Sequence, residues 1–481
     1  MNRKHPLVEG PAVLLGHGLF LFLLFLSWWH WDLRIAHVDT AYQVFSWLND
    51  PAYKIEAHRY SAIVPQALIK AGAGLGLGTR TLLIVASVAH VLVPYLIFVT
   101  GVHVLRSLVV AMAMPLATVL CMHTSFYGMV LEAHYLLSYP FLVLAFWEWA
   151  FNKGVGRRPW TLAVGLVLLI PTLMVHPTAF AFVLFMALFA FLLPGRSWPL
   201  PVSAMLVCLL WAMNYRTWFP PSAYELEFST NLRNGLTDLG RIPELVSTGY
   251  FLDGLLLPGK FYILPVVLLL LGVMALLRSR HYLHAAFAAA AFPAYLVVTF
   301  LSSPYGQQEI MMDKSIMPSA LLAVLPWVLG HAGEAHGRRS AALMTAILVI
   351  VLVVKSGAIA TAAARYEDRL AGLQQVVQDG RSSGGGVRYF TAPDQAAYGL
   401  VGDWGVPFET LLISASDGGA PVMMLPCEPI PEGTAWEQLP FWLQDMHYPM
   451  DRDRFGVDID PASLHAIPVF RASGEAPALT Q

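Results

Sequence analysis

Charge is what this sequence has least of. Asp, Glu, Lys and Arg make up 12% of its 481 residues, against 57% hydrophobic residues, and the mean hydropathy is +0.59. Soluble globular domains carry roughly twice that charged fraction, about 25%, so lipid is the expected solvent for most of the chain. The formal net charge of −2 and the lack of any Lys/Arg-rich run leave nothing to track a phosphate backbone, which sets nucleic acid aside as a partner. Cysteine is scarce as well. Cys121 and Cys208 fall within apolar runs and Cys427 stands alone towards the C-terminus, so no disulfide framework is expected and the redox compartment stays undetermined. There is no P-loop, no G-x-S-x-G elbow and no H-E-x-x-H helix, which removes the commonest nucleotide, ester and zinc-peptidase chemistries. Gly72–Gly78 is glycine-rich but lacks the G-x-G-x-x-G register and reads as a turn, and no fixed-period repeat is present.

Long apolar runs, in contrast, are abundant. Stretches long enough to cross a hydrocarbon core of about 30 Å occur near 11–31, 81–101, 107–123, 132–151, 160–176, 178–194, 199–215, 261–278, 283–301, 316–331 and 340–358. The expectation is an all-α polytopic membrane domain over 1–358 with about eleven transmembrane helices, followed by a small α/β domain over 359–481. With the N-terminus in the cytoplasm, Arg3, Lys4, Arg106, Lys153, Arg157, Arg158, Arg196, Arg278, Arg280, Arg338 and Arg339 all fall on cytoplasmic segments, as the positive-inside rule asks. The long loops, 32–80 and 216–260, and the C-terminal domain are then extracytoplasmic. Every cytoplasmic loop is too short for an ATPase, kinase or nucleotide-sugar domain.

Within the first loop, Tyr42, Phe45, Trp47 and Leu48 recur at helical spacing, and His58–Lys70 reads as an amphipathic helix along the membrane surface. Beyond 358, Tyr366–Gln378 reads as a polar helix and Ser382–Gly386 as a flexible break, with strands expected at Val387–Thr391, Leu411–Ser414, Val422–Leu425 and Ile467–Phe470.

Ionisable groups at the outer ends of spans carry the most functional weight, because burying them near lipid is costly. His37 and Asp39 lie just beyond the first span, His58 and Arg59 follow about twenty residues on, and Glu132 and His134 open the fourth span. Brought together, they would set carboxylates, imidazoles and a guanidinium around one substrate, with a carboxylate as general base toward a hydroxyl acceptor. Lys314, at the outer mouth of the tenth span, suits a lipid phosphate as a point charge. For each of these residues a solvated or snorkelling interfacial side chain is the plainer alternative. Asp32 and Asp50 read as a rim acid and a turn acid, and Asp451, Asp453, Asp458 and Asp460 as loop acids. The spacing of His37, His58, His123, His134 and His176 matches no metal-ligand pattern.

This layout resembles the GT-C superfamily of integral membrane glycosyltransferases, which take sugars from polyprenyl-phosphate carriers on the extracytoplasmic side. Asp39 in His37-Val-Asp-Thr-Ala-Tyr42 resembles the family's first-loop acid, and Arg59–Pro65 its amphipathic stretch before the second span. Glu132 sits where many members have a second carboxylate, and Lys314–Pro326 resembles the basic residue preceding a Pro-containing apolar run. The first loop has a single acid where many relatives have a pair, and Lys314-Ser315 replaces a more usual Arg-Tyr. The resemblance implies Asp39 and Glu132 as catalytic residues. It implies His37, His58, Arg59, His134 and Lys314 as substrate-binding ones, with a polyprenyl-phosphate-linked sugar as donor and a lipid or glycan as acceptor. It implies residence in the cytoplasmic (inner) membrane and leaves a divalent cation open as cofactor. The alternatives are a polytopic transporter or lipid flippase, or a non-catalytic subunit of an envelope assembly.

Overall fold

The structure, a computed structural model, describes residues 6–56, 58–129, 133–193, 195, 197–332, 338–400, 404–426, 430–439, 443, 450–457, 459 and 461–472. Helices fall over every apolar run of the sequence. Among the described residues, five helices are long and apolar enough to cross a membrane: Gly10–Trp29, Thr79–Val104, Tyr282–Ser302, Glu309–His331 and Ala342–Ser382. Shorter apolar helices, among them Leu108–Leu120, Pro159–Leu173, Ala179–Leu192 and Ile263–Arg278, lie between them in the chain. Leu14, Leu21, Phe25, Ile350 and Val353 are exposed large apolar side chains on these helices, as are Leu209, Leu210 and Met213 on the helix Pro199–Trp218. So much apolar surface is untenable in water and is expected facing lipid.

The bundle is built around Ser319–Ala332, whose Ala320, Leu321, Ala323, Val324 and Leu325 are all fully buried. Ile263–Arg278 packs on it with backbones nearly touching: a Cβ added at Gly272 would lie 2.5 Å from the Trp327 nitrogen and 2.8 Å from the Pro326 carbonyl carbon. A small residue at the crossing is what lets two helices approach so closely.

The loops sort to two ends. At one end Ser107 caps Leu108–Leu120 and donates to Glu148 Oε2 at 2.5 Å. There too Gly156 lies against Ser197, Gly195 against the Phe151 carbonyl, and Gly330 against Ala275. These are the connections that carry Arg106, Lys153, Arg157, Arg158, Arg278 and Arg280. The segments 30–39, 121–127, 246–262, 303–316 and 358–370 are joined by hydrogen bonds and ring contacts into a second cluster.

In the first loop, Trp31–Ile35 and Val38–Asn49 form two helices. The expected helix from His58 starts only at Ile63 and runs to Gly74, after a 3-10 turn over Tyr60–Ala62. His58 takes a left-handed φ of 59°, which is incompatible with continuing a helix through it.

After Thr361 the chain continues as Ala364–Ser382 and turns through Gly384, Gly385 and Gly386, all at positive φ. It then enters a parallel three-stranded sheet, β1 (Gly386–Phe390), β2 (Val422–Leu425) and β3 (Val469–Phe470), in the order β2-β1-β3. The strand expected at Leu411–Ser414 is instead part of a helix, Val406–Ser416. Val406, Phe408, Leu411 and Leu412 are all fully buried, so this helix is apolar on several sides and shows no period that separates it from a buried strand. It packs on the first loop: Phe408 meets Tyr42 and Phe45 at ring-centroid distances of 5.1 and 5.3 Å. A Cβ at Gly405 would lie 2.6 Å from Val38 Cα. The C-terminal domain thereby clamps the helix that begins with Val38 and Asp39.

Candidate active site

The most concentrated polar arrangement in the outer cluster is centred on Asp313. The helix Glu309–Ile316 buries Ile310, Asp313 and Ile316, three residues apart, so that an acid occupies the middle of a core-facing stripe. Its carboxylate has no solvent exposure and is held by four donors. Oδ2 accepts from the Thr124 amide at 2.9 Å and the Thr124 hydroxyl at 2.5 Å. Oδ1 accepts from Tyr250 at 2.9 Å and from Tyr262. His123 Nδ1 lies 3.9 Å away. Burial first, and the Asp313 charge next, push the Tyr250 phenol above its ordinary pKa, so it remains a donor.

Cations and one more carboxylate surround this core. Glu309 pairs with Lys260 at 3.2 Å and with Arg365 at 2.6 Å, and the Lys260 ammonium stands 3.6 Å above the Tyr250 ring. Lys355, fully buried on the apolar helix Arg338–Thr361, donates to the Gly259 and Lys260 carbonyls at 2.9 and 2.8 Å. Gly259 is at φ +100°, and a Cβ there would lie 2.6 Å from His123 Nε2, so only glycine lets this turn fold over the imidazole.

With four donors and no exposure, this carboxylate fixes geometry, holding segments 123–124, 250, 262 and 309–316 in one register. Half-buried Lys314 follows Asp313 directly on that helix. The first loop joins through Tyr366, whose hydroxyl donates to the Thr124 carbonyl at 3.4 Å and whose ring meets that of His37 at 6.4 Å. Asp39 lies in the first turn of Val38–Asn49, half-buried, two residues from His37. There the helix dipole favours a negative charge.

Arg34 ties the same loop down. Fully buried, it donates to the Phe126 carbonyl at 3.0 Å and to the Ser87 carbonyl and hydroxyl at 2.7 and 2.9 Å, with its guanidinium 4.4 Å from the Phe126 ring centre. It shares a cavity of about 20 Å³ with His90 and His134, room for about one water. His134 Nδ1 lies 3.0 Å from His90 Nε2, and Tyr135 adds a contact to His90 Nδ1 at 2.8 Å. His134 is thus embedded in a buried imidazole network.

Two expected site residues sit elsewhere on the same loop. The His58 ring packs against Phe219 at 5.1 Å, and Arg59 is close enough to Tyr215 to act on it electrostatically, which turns this pair toward the C-terminal end of Pro199–Trp218. Glu132 lies outside the described residues. His176 bonds Thr178 at 2.8 Å. Among the described residues no group of three or more His, Cys, Asp or Glu side chains is placed to hold a metal ion.

Sequence reasoning passed over Asp313, Thr124, Tyr250, Tyr262, Lys260, Arg365 and Lys355. Of these only Asp313 carried a usable signal: an acid in register with Ile310, Ile316 and Met317 on a helix otherwise apolar on that face. Comparison of the chain with protein-family models, with curated proteins and with solved structures finds no match.

Proposed function

We propose that the protein is a membrane glycosyltransferase of GT-C type that transfers a sugar from a polyprenyl-phosphate carrier to an extracytoplasmic acceptor. The observation that carries this reading is the gathering of five separate loop segments around Asp313 at the end of the bundle away from the basic connections. With the basic connections cytoplasmic, that end faces outward, and so does the C-terminal domain. Eleven spans, an inner-membrane location and a cytoplasmic N-terminus belong to the same proposal.

In this reading Asp39 takes the proton of the acceptor hydroxyl. The oxygen then forms its bond to the anomeric carbon, and the bond from that carbon to the carrier phosphate breaks. Lys314, held in place by its neighbour Asp313, stabilises the charge on the departing phosphate, and Arg59 serves the same anion from the second half of the loop. Glu132 binds the acceptor or sugar. His37 and His134 shape the floor, His37 through Tyr366 and His134 through His90, and His58 sets the turn that presents Arg59. The donor arrives already activated, which makes the short cytoplasmic loops intelligible.

Asp39→Asn tests this directly, because it keeps size and removes the base. With a polyprenyl-phosphate sugar and saturating acceptor, turnover is expected to fall by a factor of about 10² to 10⁴. Asp50→Asn is the control: Asp50 Oδ1 accepts from the Ala52 amide in a turn at 2.8 Å and its main-chain carbonyl accepts from Lys70, contacts an asparagine keeps, so turnover should be unchanged. Full activity in Asp39→Asn would remove the base assignment, and equal losses in both variants would make the loop's role structural.

A further inference from the structure

Apart from the Asp313 cluster, a cavity of about 560 Å³ opens where the first loop, the head of the second long helix and the C-terminal domain meet. Trp31, Asp32 and Arg80 form one wall, and the helices Ala364–Ser382 and Val406–Ser416 form the other. Its size is that of a small-molecule site, about 300–1,000 Å³.

The chemistry of the walls narrows the ligand. Of the four charged residues lining it, Arg381 and Asp417 neutralise one another through bonds of 2.9 and 2.5 Å, and two further Arg381 donors go to the Ala420 and Ser414 carbonyls. Asp32 and Arg80 remain, one of each sign, so the cavity has no surplus positive charge for a phosphate. Gln374 and Gln378 stand one helical turn apart on the same wall, both exposed, each presenting an amide that donates and accepts. That pairing suits adjacent hydroxyl groups. Trp31 supplies an indole, with the Arg80 guanidinium 5.8 Å from its ring centre, and Val377 adds apolar surface. Exposed Trp28 and Trp29 lie three and two residues before Trp31, and such an aromatic belt sets the cavity at headgroup level.

We infer that this cavity is a binding site for a neutral saccharide of a few rings, with the amides of Gln374 and Gln378 and the carboxylate of Asp32 reading hydroxyls and the Trp31 indole stacking on a sugar face. Its assignment to the acceptor rests on the glycosyl-transfer reading; the binding itself does not. A saccharide reaches it either as a free glycan or as the headgroup of a glycolipid.

The test uses full-length protein in phosphatidylcholine nanodiscs free of glycoside detergents, titrated with maltotetraose, cellotetraose and chitotetraose by saturation-transfer NMR. Wild type is expected to bind at least one of them. The Gln374→Ala/Gln378→Ala double variant should bind it about tenfold more weakly or worse with unchanged thermal unfolding, since both side chains are exposed. Trp31→Phe should retain binding that Trp31→Ala loses. No binding by wild type, undiminished binding by the double variant, or displacement of the saccharide by phosphatidylethanolamine would overturn the inference. Presenting the bound glycan as a synthetic glycolipid in the same nanodiscs separates the sources: tighter binding of the lipid form identifies a headgroup, equal binding a free glycan, and both support the site. Asp39→Asn should bind as wild type does. Saccharide binding in a protein without transferase activity would leave the cavity standing and remove the glycosyl-transfer reading, whereas transfer without binding here would do the reverse.

Discussion

Replacing Asp313 by Asn is expected to destabilise the protein measurably, and replacing it by Ala to do so much more. Four donors converge on this carboxylate. A hydrogen bond to a charged group contributes about 1.5–3 kcal/mol against about 0.5–1.5 for a neutral one, so the Asn variant loses about 1 kcal/mol per bond. Part of that loss is offset because a neutral amide is cheaper to bury than a carboxylate. The Tyr250 and Tyr262 hydroxyls can rotate to accept from the new amide, while the Thr124 amide keeps an oxygen to face. A net cost of about 2 kcal/mol follows. In the Ala variant the Thr124 N–H cannot rotate and is left buried without a partner, and the Thr124 and Tyr262 hydroxyls lose theirs, while Tyr250 keeps the Glu309 carbonyl, at about 1–3 kcal/mol for each group left unsatisfied. Taken mid-range, that sum exceeds about 4 kcal/mol. The free thiols of Cys121 and Cys208 are buried, so a thiol-reactive fluorophore reports their exposure on heating, in a Cys427→Ser background. At roughly 2–4 °C per kcal/mol, Asn should lower the midpoint by about 4–8 °C and Ala by at least twice as much. An Asn variant within about 1 °C of wild type, or an Ala variant more stable than Asn, would refute the view that this carboxylate organises the cluster.

The remaining expectations are simpler to read. Alkaline phosphatase fused after residue 381 should be active and fused after Arg158 or Arg339 silent, and the reverse pattern would invert the topology. Lys314→Ala should raise KM for the polyprenyl-phosphate donor more than it lowers kcat, because the phosphate is present in the ground state as well as the transition state; a pure kcat effect would remove the phosphate contact. The Asp417 carboxyl is held below its ordinary range, chiefly by hydrogen bonds from Arg381. A depressed folded pKa adds stability that is complete above the unfolded value of about 3.9 and fades as pH falls through the folded one. The difference in midpoint between wild type and Asp417→Asn should therefore be present at neutral pH and shrink as the pH is lowered below the ordinary carboxylate range of about 3.9. A difference that does not shrink in acid would mean that the charge on Asp417 contributes nothing.

By itself the sequence determined the solvent and the secondary structure of most of this protein. Hydropathy sums over neighbouring residues, so runs such as 81–101 and 283–301 declare themselves as helices without reference to anything else, and helices occupy them. Three of the four expected strands lie on or beside the observed ones for the same reason. Leu411–Ser414 failed because a helix buried on several sides leaves no period to read. The candidate site was legible only as a list of charged residues at span ends. Which of them are spent in structure and which stay accessible was decided by contacts between residues 189, 63 and 51 positions apart. Nothing in its own stretch of sequence shows that Asp313 will be closed in by Thr124, Tyr250 and Tyr262, and nothing around His58 shows that a left-handed turn will set its ring against Phe219. Local pattern encodes burial along a single element; the satisfaction of a buried charge depends on donors brought by other elements, and only the tertiary fold supplies them.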